Sequence, residues 1–257
     1  VDGGGIVAVL PPTTVGNDVR LIAYQKMLPR TPESQELIHN VRTVASPEGT
    51  LVGGVAADYT DSQDGIARTL PWALTWIVLS VLVLIFIFTG SIILPIKAVI
   101  LNFLSLGATM GVLTWVFIGG NLQWLVGSFT VTGTLDTSIV ILIAVVVFGL
   151  SMDYELFLLS RIREEHLAGK SNVESVAIGL QRSARIITAA AVLLAVVFAA
   201  FVTSGVTSIK TMGFGVALAV ILDATIVRGL LVPALMRLFG ENNWWAPKWM
   251  QRFTLRH

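Results

Sequence analysis

The chain has 257 residues, 54% hydrophobic and 13% charged, against about 25% charged in a typical soluble domain; an ordinary water-soluble enzyme is excluded. Seventeen basic and 16 acidic residues leave a net charge of +1, so no basic surface for nucleic acid stands out. Cysteine is absent, which excludes disulfides and cysteine-based metal or redox sites.

The chain opens at Val1 without a charged segment ahead of an apolar one, so no signal peptide is read; a membrane protein opening this way reads as a fragment or a processed chain. Residues 1–69 hold eight of the 16 acids and five of the 17 bases, the composition of a water-exposed piece. Within it IVAVLPP and VRLIAY alternate like short strands. TPESQELIHNVRTV reads as a helix, with Thr31 as N-cap, Pro32 in the first turn and Glu33 at the positive helix end. LVGGVAADYT reads as a further strand, Gly53-Gly54 marking a bulge or a close backbone approach. A small α+β remnant is therefore expected, followed by a helix from Asp61 to Leu70 that runs into the first membrane span.

Apolar runs near 20 residues long are transmembrane helices by length. Five are read: about Ala73 to Phe88, Ala98 to Ile118, Thr137 to Ser160, Ile186 to Ser204 and Met212 to Met236. The expected architecture is thus an all-α polytopic membrane domain over 70–237, preceded by the remnant (1–69) and followed by a tail (238–257). Between the third and fourth spans, Ser171 and Glu174 form an S-x-x-E capping box opening VESVAIGLQRSAR, read as an interfacial helix. Gly107 and Gly111 make a GxxxG in the second span, a common motif that often permits close packing.

Basic residues orient the bundle. Ten lie on one side: Lys97, Arg161, Arg163, Lys170, Arg182, Arg185, Arg237, Lys248, Arg252 and Arg256. Only Lys210 lies in the opposite loops, so the first side is expected to be cytoplasmic and residues 1–69 external. Trp72, Trp76, Trp115 and Trp124 then fall near the outer interface, and Trp244, Trp245 and Trp249 just inside, as an aromatic belt.

An ionisable group deep in the bilayer is a functional candidate by default, because inserting it costs a few kcal/mol. Asp153 lies eight residues before Arg161, while Asp223 and Arg228 lie near the middle of the fifth span. Tyr154 is the only tyrosine in any span and can donate to a neighbouring carboxyl. At about 1.5 Å per residue, Asp153 and Arg228 share a depth and Asp223 lies about 7.5 Å further out. Five residues apart on an α-helix, Asp223 and Arg228 diverge by about 140°, which favours placing Arg228 in the polar cluster of Asp153. Ser151 is a further hydrogen-bonding candidate there, and Glu155 is within snorkelling reach of the inner face. A static ion pair that fixes register is the alternative to a carboxylate that loads and releases a proton. His39, His166 and His257 lie outside the spans; no HExxH, Walker or phosphate-binding glycine motif occurs. No metal, no ATP and no enzymatic activity are therefore expected.

The run GLSMDYELFLLSRIREE, from Gly149 to Glu165, resembles the signature of MmpL-type transporters of the resistance-nodulation-division superfamily. LVGGVAADYTD, RSARIITAAA at 182–191, the closing NNWWAPKW and the D-x4-R pair Asp223/Arg228 are similar as well, so the resemblance covers essentially the whole chain. It implies twelve helices in two pseudo-symmetric halves, each with one helix, an external porter domain and five more helices. Residues 1–69 would end the second porter domain, and the five spans would be the last five helices. The resemblance assigns Asp153 and Tyr154 to the Asp-Tyr pair that carries protons, with Asp223 and Arg228 in support. The first-half pair is not in this chain, which implies a partner in the missing N-terminal half. The implied activity is export of lipids or other hydrophobic compounds across a bacterial inner membrane. The proton-motive force drives it, without a cofactor, and homo-oligomers are conceivable. A protein-translocation accessory of the related secretion branch, or a non-transporting membrane module, are the competing readings.

Overall fold

The computed structural model describes residues 5–44, 46–131 and 133–247. The chain divides into two compact units, Val1–Thr75 and Trp76–His257.

In the first unit four short strands form two antiparallel hairpins: β1 (Ile6–Val9) pairs with β4 (Ala23–Gln25), and β2 (Thr13–Val15) with β3 (Asp18–Arg20). The β2–β3 turn is two residues long, and Gly16 takes φ 64°, the left-handed conformation such a tight turn requires. Helix α1 (Pro32–Thr43) starts as its sequence predicts: Thr31 caps it by accepting from Ser34 N–H, with Pro32 in the first turn. The strand expected at LVGGVAADYT is not formed. Helix α2 (Val55–Thr89) begins there instead, Asp58 N–H bonding back to Gly54 C=O at 2.9 Å. A short apolar run has no period that separates strand from helix; Asp58 at the positive helix end and Gly54 at φ 113° mark a helix start. The helix expected from Asp61 to Leu70 is part of α2, which continues through Pro71. Asp61 accepts both terminal nitrogens of Arg42, one at 2.8 Å, and this pairing raises the Arg42 guanidinium above its ordinary pKa.

The second unit is helical. It holds the apolar part of α2, then α3 (Ile93–Leu113), α4 (Gln123–Val126), α5 (Thr137–Leu167), α6 (Asn172–Phe201), α7 (Thr207–Leu222) and α8 (Val232–Phe239). Two π-helical segments interrupt it: Thr114–Ile118 extends α3, and Asp223–Leu231 joins α7 to α8. Five helical stretches are long and apolar enough to cross a membrane: Val55–Thr89, Ile93–Ile118, Thr137–Leu167, Asn172–Phe201 and Thr207–Trp244. Each matches one expected span, the fourth ending at Phe201 rather than at Ser204.

The separate interfacial helix is not observed. VESVAIGLQRSAR and the fourth span are one helix, α6, opened by the complete Ser171/Glu174 capping box. Arg182 and Arg185 mark a polar stretch rather than a break, since no residue there ends helical hydrogen bonding. Arg182 instead pairs with Glu165, which also receives Lys170.

Gly107 and Gly111 face open space among the described residues. Close helix approach occurs elsewhere. A Cβ on Gly179 would meet the Ile162 backbone at 2.9 Å, and one on Gly213 the Phe198 carbonyl at 2.6 Å. These glycines set the α5–α6 and α6–α7 crossings. Lys210 is buried, its Nζ donating to the Val126 and Ser128 carbonyls at 3.0 Å each, which ties down the loop before α5.

The core has two apolar layers. One contains Ile85, Leu94, Leu101, Met152, Leu158, Val227 and Met236; the other contains Leu113, Phe117, Ile143, Val147, Val216 and Val220. Along α5 the layers change between Val147 and Met152, and along the fifth span between Val220 and Val227. Asp223 and Arg228 are buried at that seam.

Candidate functional site

On α5, Ser151 and Glu155 are i, i+4 and share the buried face with Leu158, Leu159 and Ile162. Asp153 lies about 200° from Ser151 on an α-helix, and it is exposed on the surface of this bundle, while Tyr154 is half-buried between the two faces. Opposite α5 stands the π-helical stretch Asp223–Leu231, with Asp223, Val227 and Arg228 buried.

The π-helix changes the geometry expected of Asp223 and Arg228. Its backbone bonds run i→i+5, so residues five apart return to one face, and the two side chains form an ion pair. Their expected divergence holds for an α-helix, which this stretch is not. The Ser151 hydroxyl donates to Asp223 Oδ1 at 2.7 Å, and Arg228 Nη2 donates to the Ser151 carbonyl at 2.7 Å and to its hydroxyl oxygen at 3.3 Å. The Arg228 guanidinium lies 5.1 Å from the centre of the Tyr154 ring. A narrow cleft of about 10 Å³ runs beside this group, lined by Ser151, Tyr154, Asp223, Arg228 and apolar residues that include Ala191 and Val220.

Ser151, Tyr154, Asp223 and Arg228 are thus gathered into one network. Asp153 is not. Among the described residues it makes no ion pair with Arg228, because its side chain leaves the opposite side of α5. Both oxygens of Asp223 are occupied, so that carboxyl is held as half of a buried pair. Of the α5 carboxyls beside this network, Asp153, on the outside, and Glu155 have no ion pair among the described residues.

Glu155 does not snorkel. It is 2% exposed, and its Oε2 has no hydrogen-bond partner. It lines a second cleft with Lys97 of α3, a residue whose sequence position served only to orient the chain. Lys97 Nζ donates to Asn243 Oδ1 and sits 4.7 Å from the centre of the Phe239 ring. Asn102, Ser105 and Thr109 add a buried polar stripe along α3, and Asn102 Nδ2 reaches the Phe148 carbonyl at 3.5 Å. Their i, i+3, i+7 spacing was a usable signal for that stripe.

A bundle of membrane-length helices with a carboxylate–guanidinium pair sealed at the seam of its core defines a polytopic membrane domain with a buried ionic site. The MMPL family profile matches residues 16–255, and the chain belongs to that family. It is 44% identical over 221 residues to a Streptomyces coelicolor protein described only as a membrane protein, covering 86% of this chain and 31% of that one. It is 42% identical over 227 residues to the trehalose monomycolate exporter MmpL3 of Mycobacterium tuberculosis, covering 87% and 24%. It is also 37% identical over 254 residues to the mycolic acid-containing lipids exporter MmpL11 of Mycolicibacterium smegmatis, covering 96% and 26%. The chain therefore spans about a quarter to a third of the length of the curated relatives it matches.

Proposed function

We propose that this chain is the second-half membrane domain of a proton-driven exporter of lipids or similarly amphiphilic compounds in a bacterial plasma membrane. The relatives' names support the cargo class, since MmpL3 and MmpL11 are named for lipids. Asp153 takes and releases the proton, Tyr154 links it to the buried network, and Ser151, Asp223 and Arg228 hold that network in place.

The observation that carries this reading is the division of labour on α5. Ser151 and Tyr154 join the sealed Asp223–Arg228 pair, while Asp153 stands next to them on the bare side of the helix. An ionised carboxylate facing lipid at this depth costs about 2.5–3.5 kcal/mol on insertion scales, so that face of α5 is expected against further protein. The missing first half fits there, and the Asp153 side chain would meet its counterpart across the joint. The basic ends of α5 and α6 and the C-terminus lie in the cytoplasm in this reading, and residues 1–69 outside.

The test is export by the protein as its gene encodes it, carrying Asp153→Asn. Loss of export of at least about tenfold, about 1.4 kcal/mol in the barrier, is expected at wild-type expression. Unchanged export would sink the assignment, and comparison of envelope lipids with and without the gene identifies the cargo.

A further inference from the structure

Among the described residues Glu155 is the carboxyl of the spans that is both sealed inside the bundle and short of a donor: 2% exposed, with Oε2 unpartnered. It projects into a narrow cleft of about 10 Å³, room for about one water molecule, whose walls are Leu94, Leu101, Leu159, Val232, Leu235 and Met236. The one basic group on that lining is Lys97. Asp223 and Arg228 act on it electrostatically from the π-helical segment, but they are already paired to each other and to Ser151. The lining residues of α8 are apolar. A carboxylate kept permanently ionised here is an uncompensated buried charge, whereas neutral packing in its place carries no such cost.

We propose that Glu155 is a second proton-carrying residue of this membrane domain, taking up and releasing its proton through the Leu94–Met236 cleft, with Lys97 as the cation that faces the charge left behind. The inference rests on the proton-driven reading and extends it to the Lys97 side of the buried network. On release the O–H bond at Oε2 breaks and the proton passes to a water molecule entering the cleft. The bonding electrons stay on the carboxylate, and uptake is the reverse. Lys97 is suited to this because its ammonium is held over the cleft by Asn243 Oδ1 and by the Phe239 ring, not by a carboxylate of its own. The closing NNWW run thereby acquires a task, since Asn243 positions the lysine that Glu155 faces.

The experiment uses the protein as its gene encodes it, reconstituted in phosphatidylethanolamine–phosphatidylglycerol vesicles loaded with a pH-sensitive dye. The initial proton flux under an imposed gradient is recorded across the pH range. Glu155→Gln is expected to lower the flux about tenfold or more and to flatten its pH dependence. Lys97→Met is expected to lower the flux measured at neutral pH and to move its pH midpoint about one unit upward, the size of effect expected for removing a nearby cation. A Glu155→Gln protein with wild-type flux and pH profile overturns the proposal. Should that variant fail to fold, Glu155→Asp decides: a displaced midpoint supports the proposal, and a profile superimposable on wild type overturns it. Asp153→Asn is the separating arm. If it abolishes flux while Glu155→Gln does not, the relay at Asp153 stands and the second carrier falls. If it leaves flux intact while Glu155→Gln abolishes it, the Asp153 assignment falls and Glu155 stands.

Discussion

Asp223 and Arg228 are each sealed against water, and each depends on the other and on Ser151 for its hydrogen bonds. Removing one member leaves the other as a buried, unpaired charge, a loss of about 3–5 kcal/mol. Asp223→Ala and Arg228→Met should therefore each destabilise the membrane domain by about that amount. The double variant should cost clearly less than the two combined, because neither charge is then stranded. A double-mutant cycle on chemical unfolding in detergent checks this; additive losses would mean that the two side chains do not interact. Arg228→Lys should not restore the native state. One guanidinium spans the Asp223 carboxylate and the Ser151 carbonyl together, and a single ammonium lacks that fork, so a loss of about 1–3 kcal/mol is expected in the same assay.

Which residues form the pair was visible in the sequence, but how they meet was not, because their contact depends on the kind of helix that carries them. Hydrophobic periodicity cannot tell an α-turn from a π-turn over nine residues. The i→i+5 bonding of Asp223–Leu231 coincides with the seam of the two core layers, a tertiary feature that no local pattern announces. Span existence was legible for the simpler reason that a run of about 20 apolar residues has few other uses. Helix continuity was not. Arg182 and Arg185 look like an end until Glu165 is found opposite, accepting from Arg182. The glycines behave similarly: the spaced pair Gly107/Gly111 meets nothing, whereas the unremarkable Gly179 and Gly213 lie where helices touch. Gly179→Ala and Gly213→Ala are each expected to destabilise by about 1–3 kcal/mol, since backbone rather than a flexible side-chain end must give way. Gly107→Ala on this chain should be neutral or gain a few tenths of a kcal/mol from helix propensity. Thermal unfolding of the three variants side by side measures the contrast, and equal midpoints for all three would contradict these crossings.

At the scale of the membrane unit, the Lys97 end of the bundle is closed by the chain's last described turn. Gly240–Trp244 forms a 3-10 helix whose side chains reach three earlier elements. Asn243 Nδ2 donates to the Met236 and Gly240 carbonyls at 2.6 Å each, its own carbonyl accepts from Ser91, and its Oδ1 accepts from Lys97. Trp244 Nε1 donates to Asn172 Oδ1 at 3.2 Å, and Asn172 Nδ2 donates to the Met236 carbonyl at 2.8 Å. The indole stacks on His166 with ring centres 4.2 Å apart and planes 4° from parallel. Trp244 is thus spent on protein contacts and not on an aromatic belt; Trp245 stays exposed, and Trp249 lies outside the described residues. Apart from Met236 and Gly240 none of these partners is near in sequence, so NNWW was legible as a motif and not as a clamp joining the α2–α3 turn, α5, α6 and α8. Its weight follows from the groups left bare when it is cut. Asn243→Ala strips the Lys97 ammonium of an acceptor and the Met236 and Gly240 carbonyls of one donor each, Met236 keeping that of Asn172. At about 0.5–1.5 kcal/mol for a neutral bond and about 1.5–3 for the charged one, a loss of several kcal/mol is expected. Trp244→Phe keeps a ring against His166 and removes only the N–H, a loss of about 1 kcal/mol. Asn243→Asp separates the two tasks of that residue, since its carboxylate still accepts from Lys97 but donates to neither carbonyl. The carboxylate oxygen in place of the amide nitrogen also repels the Met236 and Gly240 carbonyl oxygens, so its unfolding midpoint should fall at or below that of Asn243→Ala, and a midpoint between the alanine variant and wild type would show that the Lys97 bond outweighs the two carbonyl bonds.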